Sequence, residues 1–270
     1  MLQREDQAQL SQGKPPLSVA WLGTVAYPDA LALQDALVNA RRYNQIRDTL
    51  LLLEHPHVFT LGRGADERFL INPPTEVPIH RVSRGGEVTY HGPGQLVAYP
   101  ILKLEGRDRD VHRYLRALEQ AIVDALRELG IEAGRRDRLT GVWIGTRKIA
   151  SIGVGIRRWV TFHGLAVNVD PALHYFDTIV PCGIEGCQMT SIAERLGQRP
   201  SEVSGEPSGL TIDGSNSRSE AFGRLLQRSF AAVLGYQAVK IIMANEIWRH
   251  VEIRQEAETI TQASHGDHHG

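Results

Sequence analysis

The sequence predicts an α/β (α+β) fold, with a mixed, largely antiparallel sheet flanked by helices. Two consecutive hairpins between residues 141 and 169 predict the antiparallel part of the sheet. A one-sided apolar stripe at helical spacing predicts a helix from Asp110 to Leu129, ahead of these hairpins. Hairpins alternating with helices do not fit a doubly wound parallel sheet, in which every strand needs a crossover connection.

Four helices are expected along the chain. In the second, Asp110 can cap the start and Gly130 the end. In the third, Ser191 and Glu194 have the spacing of a capping box, and Gly197 would close the helix. The expected helices cover Asp29 to Arg47, Asp110 to Leu129, Thr190 or Ser191 to Gly197, and Ala221 to Leu234.

Strands are expected where Val, Ile, Thr and aromatic residues are concentrated. Residues 145–147 supply the turn of the first hairpin, and residues 157–158 the turn of the second. The expected strands cover Val58 to Leu61, Leu96 to Leu104, Gly141 to Ile144, Lys148 to Ile156, and Trp159 to Val169.

The composition of the 270-residue chain excludes several classes of protein. The chain is 42% hydrophobic, which is enough for one packed core or two small ones, so a disordered or collagen-like protein is excluded. Lys and Arg number 30 against 31 Asp and Glu, so no global basic field is available and no nucleic acid is expected as partner. The two cysteines, Cys182 and Cys187, are too few for a disulfide framework.

The N-terminal segment and the hydropathy predict a soluble, cytoplasmic protein. Residues 1–10 are polar and carry both signs of charge, unlike a secretory signal. No apolar run approaches the roughly 18 to 20 residues that a membrane-spanning helix needs, so no membrane is expected as partner. The low cysteine content fits a reducing compartment.

Changes in composition divide the chain into five parts. We expect a flexible leader over 1–16, a compact body over 17–200, a linker or surface loop over 201–220, a C-terminal helical segment over 221–255 and a disordered tail over 256–270. The leader ends in two prolines, and the linker is rich in Ser, Gly, Pro and Asp. The chemistry is therefore expected in the body.

The densest unusual segment runs from Arg84 to Pro100 and has the sequence RGGEVTYHGPGQLVAYP. Its four glycines allow the backbone to approach a ligand closely and leave N–H groups free of sheet pairing. The segment matches neither the Walker A pattern nor the dinucleotide-binding fingerprint. A glycine-rich hairpin before a strand would have a similar composition, but the presence of Arg84, Thr89 and His91 favours a binding loop.

Cys182 and Lys148 are the candidate reactive side chains. Cys182 lies between Pro181 and Gly183, which predicts a tight, open loop, although a lone cysteine is more often a small buried hydrophobic residue. Its thiol would need a nearby cation, a base or a helix N-terminus to form a thiolate. Lys148 begins an otherwise apolar strand and can supply that cation, and the short helix near Thr190 is the other source if the loop folds back.

Cys187 and His163 each have competing interpretations. The spacing from Cys182 to Cys187 fits neither a CxxC redox pair nor a zinc knuckle, so we interpret Cys187 as structural. His163 could be the partner of a cysteine in a Cys/His hydrolase, but a hydrogen-bonded strand histidine is the preferred interpretation.

Three motifs, in order, resemble the octanoyltransferases of lipoate biosynthesis, the lipoyl(octanoyl) transferase family. They are RGGEVTYHGPGQLVAYP, GVWIGTRKIASIGVGIRRWVTFHGLAVNVDP and FDTIVPCGI, and the likeness covers about residues 17 to 200. The resemblance implies a biotin/lipoyl protein ligase-like fold and makes 17–200 the catalytic domain. It also implies transfer of octanoyl from acyl carrier protein to a lysine of a lipoyl domain, through a cysteine acyl-thioester.

The resemblance further implies roles for individual residues. Cys182 would be the nucleophile, and Lys148 the lysine that lowers the pKa of its thiol. The implied substrate-binding residues are Arg84, Gly85, Gly86, Glu87, Val88, Thr89, Tyr90 and His91, then Ser151, Ile152 and Gly153, then Gly164, Leu165 and Ala166. An apolar wall for the eight-carbon chain is expected from Ile149, Ile152, Val154 and Leu165, although ordinary core packing explains each of them equally well.

The same resemblance implies cofactors and partners. Neither ATP nor a metal is expected, because a thioester is already activated. The implied partners are octanoyl-acyl carrier protein, the lipoyl domains of 2-oxo acid dehydrogenase acyltransferase subunits, and the glycine cleavage H protein. An acidic carrier protein would need a local basic patch, although a solvated hairpin surface explains the candidate residues equally well. These candidates are Arg135, Arg136, Arg138, Arg157 and Arg158.

Three other activities stay open at this point. An ATP-dependent lipoate or biotin protein ligase shares the fold and a related glycine-rich loop, but it needs no catalytic cysteine. A catalytically silent binding protein for acyl carriers or lipoyl domains would form no covalent adduct. A Cys/His hydrolase would release free octanoate to water.

Overall fold

The computed structural model describes residues 14–197 and 217–251. Its strands are β1 (Leu17–Thr24), β2 (Thr49–Glu54), β3 (Val58–Leu61), β4 (Ile79–Arg81), β5 (Val88–His91), β6 (Gln95–Ile101), β7 (Gly134–Arg136), β8 (Leu139–Ile144), β9 (Arg147–Arg157), β10 (Val160–Asn168) and β11 (Val239–Ile241). Its helices are α1 (Tyr27–Arg42), α2 (Val111–Arg127), the short α3 (Ile192–Arg195), α4 (Arg218–Leu234) and α5, which is described over 244–251.

The main sheet has eight strands in the order β11-β1-β2-β6-β10-β9-β8-β7. Strand β1 is parallel to β11 and β2, and each further pair from β2 to β7 is antiparallel. A smaller sheet has the order β4-β3-β5, in which β3 is parallel to β4 and antiparallel to β5. The predicted mixed, largely antiparallel sheet is therefore confirmed.

Helices cover both faces of the main sheet. Strand β2 is buried on both sides, and its side chains alternate between the two faces, as in any strand. Leu50 and Leu52 pack with α2 and α4 in one core, whereas Leu51 and Leu53 pack with α1 in the other. A continuous apolar run such as that of β2 is typical of a strand covered on both faces.

Two of the predicted helix starts are confirmed by their caps. Asp110 accepts a hydrogen bond from the N–H of Arg113, and Ser191 accepts one from the N–H of Glu194. The first helix differs from the prediction, because it begins at Tyr27 and ends at Arg42. Asn44, with a φ of 58°, has the left-handed conformation that ends a helix.

Both predicted hairpins are present. Residues 145–146 connect β8 to β9, and Arg147 is already the first residue of β9. The turn from β9 to β10 is formed by Arg158 and Trp159, which both have positive φ. Positive φ at both central residues gives a two-residue turn the twist that the flanking strands need.

The C-terminal segment packs into the body of the protein. Helix α4 packs along α2, and its Phe222, Leu226 and Phe230 lie in the main core. Strand β11 then pairs with β1, so the segment contributes a strand as well as helices. The apolar face of α4 is visible in the sequence, but the surface that it covers is not.

Residues 1–13, 198–216 and 252–270 lie outside the described residues. They include most of the expected leader and linker, the whole tail, and the last residues of the expected body and C-terminal helical segment. Among the residues that are described, no helix combines the length and the apolar character needed to cross a membrane.

Candidate active site

A cavity of about 430 Å³ lies where the glycine-rich segment meets β9, β10 and the first turns of α2. Its volume falls in the range of small-molecule sites, about 300–1,000 Å³. Buried polar side chains line one part of it: Tyr27, Arg84, Thr89, His91, Tyr99 and His163. Apolar side chains line another part: Val111, Leu115, Leu139, Ile152, Val154 and Leu165.

Cys182 lies beside this cavity on a single 3₁₀ turn, Pro181–Gly183. Its φ of 57° and ψ of 21° are in the left-handed region, which is uncommon for residues other than glycine. Gly183 follows with a φ of 68°, and a Cβ at this position would come within 2.8 Å of Cγ of Glu87. The Pro-Cys-Gly sequence therefore forms the tight loop that was expected.

Lys148 is next to the cysteine, with its Nζ 3.1 Å from Sγ of Cys182. The lysine is only 1% exposed, unlike a lysine on the solvated edge of a sheet. Its backbone N–H donates to the carbonyl of Gln188, and its carbonyl accepts from the N–H of Thr190. These two bonds tie the start of β9 to the segment that follows the Cys182 loop, and so hold the lysine beside the thiol.

The electrostatics of the site favour the thiolate of Cys182. Burial of the thiol opposes its ionisation, but the positive charge of Lys148 and hydrogen bonds from Lys148 and Ser151 outweigh burial, so the pKa of Cys182 is lowered. The Oγ of Ser151 lies 3.7 Å from the sulfur. Arg84 adds a further positive potential. A lowered pKa is the usual requirement for a reactive cysteine near neutral pH.

Arg84 is buried and holds the start of the glycine-rich segment. Its Nη2 donates to the carbonyl and hydroxyl oxygens of Thr60, at 2.7 and 2.8 Å, and its Nη1 to the carbonyl of Gly85, at 3.0 Å. Among the described residues Arg84 forms no ion pair, and these neutral oxygens are its acceptors. Burial lowers its pKa from the ordinary arginine value.

Gly153 allows β9 to lie against the glycine-rich segment. The N–H of Gly85 donates to the carbonyl of Val154, at 2.9 Å. A Cβ on Gly153 would come 2.9 Å from the carbonyl oxygen of Gly85 and 3.2 Å from Cδ of Arg84. The absence of a side chain at Gly153 is thus what permits this approach.

Comparison with known proteins identifies the family. Residues 26–204 match the family described as the lipoyl protein ligase A/B catalytic domain. An octanoyltransferase of Solibacter usitatus is 54% identical over 185 residues, which are 67% of this chain and 83% of that protein. The chain belongs to the octanoyltransferase family. An octanoyltransferase of Gloeobacter violaceus is 51% identical over 163 residues, which are 60% of this chain and 73% of that protein.

Membership of the octanoyltransferase family makes the chain an acyltransferase that transfers octanoyl groups in lipoate biosynthesis and protein lipoylation. Solved structures share its fold. Lipoate-protein ligase A bound with ATP superposes with a TM-score of 0.60 at 17% identity, over 88% of this chain and 92% of that chain. A bipartite lipoate protein ligase of Thermoplasma acidophilum superposes with a TM-score of 0.59 at 16% identity, over 88% of this chain and 91% of that chain. The predicted lipoyl protein ligase-like fold is thus confirmed.

Most of the substrate-binding residues implied for an octanoyltransferase line the cavity. They are Arg84, Gly85, Gly86, Glu87, Thr89, His91, Ser151, Ile152, Gly153, Gly164, Leu165 and Ala166. Val88 and Tyr90 do not line it, because successive side chains of β5 point to opposite faces. Both are fully buried in the core of the small sheet, where Tyr90 stacks on Tyr175 at 4.8 Å. Ile149 is likewise buried in the main core and not in the cavity wall.

His91 belongs to a chain of hydrogen bonds behind the cavity. Its Nδ1 lies 2.7 Å from Oε1 of Gln95, whose Nε2 donates to Oδ1 of Asn168 at 2.9 Å. Asn168 in turn donates to the carbonyl of Thr190, at 3.0 Å. Burial lowers the pKa of His91 to about 3, so the imidazole is neutral. This chain connects β5, β6 and β10 to the start of α3.

The preferred interpretation of His163 as a hydrogen-bonded strand histidine is wrong for its ring. Neither ring nitrogen has a hydrogen-bond partner within the described part of the chain, and the residue is 2% exposed. Its backbone N–H donates to Oε1 of Gln34 at 2.7 Å, and its φ is 52°. The ring lies at the cavity, and burial lowers its pKa to about 4.

Several cavity residues were not predicted from the sequence. Tyr27 is at the start of α1, outside the three motifs, and Tyr99 lies in β6 within the segment from Arg84 to Pro100 but was given no role of its own. Burial raises the pKa of Tyr27 to about 12, so its hydroxyl stays protonated. The other unpredicted lining residues are Val97, Val111, Leu115, Leu139, Thr140 and Ile184.

The five arginines of the candidate basic patch have different surroundings. Arg135 pairs with the buried Glu119, and Arg157 pairs with Asp35. Arg136 lies over the ring of Trp143, and Arg138 lines the cavity. Arg158 lies in the β9–β10 turn.

Cys187 is a free thiol, as is Cys182. It packs partly buried against the core of the small sheet, and burial raises its pKa. Within the described residues, no group of three or more His, Cys, Asp or Glu side chains is placed to hold a metal ion.

Proposed function

We propose that this octanoyltransferase takes octanoyl from the thioester of acyl carrier protein, holds it on Cys182, and passes it to a lysine of a lipoyl domain. The observation that carries the proposal is the 3.1 Å contact between Nζ of Lys148 and Sγ of Cys182. The lowered pKa of Cys182 supports a thiolate nucleophile at this position.

In the first half of the reaction, the Cys182 thiolate attacks the carbonyl carbon of the octanoyl thioester. A new carbon–sulfur bond forms, and the bond to the carrier's sulfur breaks. The leaving sulfur takes a proton from the Lys148 ammonium, which becomes a neutral amine. One thioester replaces another of similar energy, so the proposal includes neither ATP nor a metal.

In the second half, the neutral amine of the acceptor lysine attacks the octanoyl carbonyl on Cys182. An amide bond forms, and Cys182 leaves as its thiolate. Lys148 takes the proton that the acceptor nitrogen loses and becomes an ammonium again. The Lys148–Cys182 pair has then returned to its starting state.

The remaining cavity residues would bind and orient the octanoyl chain. Ile152, Val154 and Leu165 give the cavity an apolar wall. Backbone N–H groups of the glycine-rich segment are candidate donors to the carbonyl oxygen as it gains negative charge. The N–H of Gly85 is an exception, because it already donates to Val154.

The partners of this reaction would be acyl carrier protein as donor and two kinds of acceptor. The acceptors are the lipoyl domains of 2-oxo acid dehydrogenase acyltransferase subunits and the glycine cleavage H protein. Arg138, which lines the cavity, is suited to contact an acidic carrier. We expect the reaction to take place in the cytoplasm, without nucleic acid or membrane as partner.

Intact-protein mass spectrometry tests the proposal. Wild type, Cys182→Ala and Cys187→Ala are each incubated with octanoyl-acyl carrier protein, without ATP. Wild type and Cys187→Ala should gain the mass of one octanoyl group, which hydroxylamine removes, and Cys182→Ala should not. Adding a lipoyl domain should discharge the adduct and acylate one of its lysines.

Other outcomes would replace the proposal with a rival activity. A lipoyl domain labelled by free octanoate only with ATP, and no adduct on the enzyme, would identify a ligase. Release of octanoate without any acceptor would identify a hydrolase. No adduct and no product under either condition would leave a binding protein.

A further inference from the structure

Lys148 is a buried cation that has no carboxylate beside it. The residue is 1% exposed, its Nζ donates to Sγ of Cys182, and no described Asp or Glu forms an ion pair with it. Burial in a medium of low polarity disfavours the charged form of a lysine. The Cys182 thiolate stabilises that charge on one side, at 3.1 Å, and a second group can stabilise it on another.

The aromatic ring of Trp143 is such a group. Nζ of Lys148 lies 5.3 Å from the centroid of the Trp143 ring, within the distance at which a cation is attracted to an aromatic face. The two residues are paired across β8 and β9, so their side chains are neighbours on the sheet. Trp143 is only 2% exposed, and the attraction is strongest where water is excluded.

Hydrogen bonding does not explain a tryptophan at this position. A buried indole N–H normally has an acceptor, but Nε1 of Trp143 is buried and has none among the described residues. Two cations lie at its ring: Nζ of Lys148, 5.3 Å from the centroid, and the Arg136 guanidinium, 5.0 Å from it.

Gly141 leaves the space through which the lysine side chain reaches the cysteine. Its φ is +126°, and a Cβ there would lie 2.6 Å from Cε and 3.2 Å from Nζ of Lys148. The N–H of Gly141 donates to Oε1 of Glu119, at 3.1 Å. Glu119 is itself held by Arg116 and Arg135. Strand β8 is thus fixed at Gly141 and presents Trp143 to the lysine.

We propose that Trp143 is a positioning residue of the octanoyl transfer, whose indole face holds the Lys148 ammonium, in its charged form, against the sulfur of Cys182. The inference rests on the proposed function, because it assigns Trp143 a task that matters only if the Lys148–Cys182 pair is reactive. Trp143 acts through Lys148 and touches neither substrate nor sulfur in this role.

The test is the pH profile of Cys182 alkylation by iodoacetamide, followed on the Cys182 peptide so that Cys187 is resolved. The variants are Trp143→Leu, Trp143→Phe and Lys148→Met. The control is Trp21→Leu, which changes a half-buried tryptophan packed against the main core. Trp143→Leu should raise the midpoint by about one pH unit, a tenfold loss of thiolate below both midpoints. Trp143→Phe keeps an aromatic face and should stay closer to wild type.

Fluorinated tryptophans at position 143 separate an effect of the ring's electron density on Cys182 from an effect on protein stability. Fluorination withdraws electron density from the ring face but hardly changes its size. The alkylation midpoint should therefore rise stepwise with the number of fluorine atoms, while the urea unfolding midpoint stays constant.

The outcomes distinguish the inference from the proposed function. If Lys148→Met has the wild-type profile, the Lys148–Cys182 pair is not the reactive unit and both fail. If Lys148→Met raises the midpoint and the fluorinated series leaves it unchanged, only the role of Trp143 is overturned. Equal shifts for Trp143→Leu and Trp21→Leu would also overturn it, since they would report a general loss of packing.

Discussion

Lys148 and Cys182 are 34 residues apart in the chain, yet their Nζ and Sγ atoms are 3.1 Å apart. The backbone of Lys148 is bonded on both sides to residues 188 and 190, which follow the Cys182 loop. The hydrogen bonds that position the segment after the Cys182 loop therefore also position the lysine. We therefore expect the pH dependence of Cys182 acylation to change when Lys148 is replaced.

Replacing Lys148 by Ala should slow acyl-enzyme formation at pH 7 by about a hundredfold or more, because a positioned proton-transfer group usually contributes at least that much to the rate. The lysine lowers the pKa of Cys182, so its loss should also move the rise in acylation rate to higher pH. Single-turnover octanoylation, followed by mass spectrometry from pH 6 to 9, measures both effects. Ser151→Ala removes only the hydroxyl 3.7 Å from the sulfur and should cause a smaller shift. An unchanged pH profile in Lys148→Ala would contradict the assignment.

The features predicted correctly from the sequence are mostly local ones. The caps at Asp110 and Ser191 and the two hairpins depend on residues close together in the chain. The glycine-rich segment and the Pro-Cys-Gly loop were likewise identified from short patterns. Their meeting in one cavity involves contacts between distant segments, and only the family resemblance predicted it.

The features that were missed depend on which surface an element covers. Helix α4 has a visible apolar face, but nothing in its sequence indicates that α2 is its partner. Val88 and Tyr90 stand in the same motif as Thr89 and His91, and only the direction of β5 decides which pair faces the cavity. The ring of His163 has no hydrogen bond among the described residues, which could not be predicted, because buried polar groups generally do have hydrogen-bond partners.

Gly153→Ala should impair catalysis more than stability. The new Cβ would lie 2.9 Å from the carbonyl of Gly85, so the glycine-rich segment must move away from β9. We expect kcat/KM for octanoyl transfer to fall at least about tenfold, as misplaced binding groups usually cause. Gly134→Ala is the matched control, since its Cβ meets nothing within 4 Å. Equal activity of the two variants would show that the close approach at Gly153 is not needed.

Helix α4 should be required for folding. A chain that ends after residue 200 lacks Phe222, Leu226 and Phe230, which are buried in the main core. In the full chain, Phe230→Ala should lower the free energy of unfolding by about 3–5 kcal/mol. Arg228→Ala, on the exposed side of the same helix, should lower it by less than about 1 kcal/mol. A cooperative urea transition in the truncated chain would instead support 17–200 as an independent domain.

Three buried histidines should make the protein acid-sensitive. Burial lowers the pKa of His91 to about 3, and those of His55 and His163 to about 4, from a value of 6.5 in the unfolded chain. Below pH 6.5 the unfolded state therefore binds protons that the folded state does not. Their contribution to stability is complete above pH 6.5 and decreases as the pH falls toward 4, by at most about 1.4 kcal/mol per pH unit for each histidine.

Urea unfolding at several pH values between 7 and 4.5 measures this loss. His163→Leu should make the decline less steep, because it removes one of the three groups that take up a proton on unfolding. The ring of His163 has no hydrogen bond among the described residues, so the substitution removes none. His112→Gln changes an exposed histidine in the first turn of α2 and should leave the decline as in wild type. If His163→Leu and wild type lose stability at the same rate per pH unit, the imidazole of His163 is not held neutral by its burial. The decline would then have to come from the other two histidines or from carboxylates.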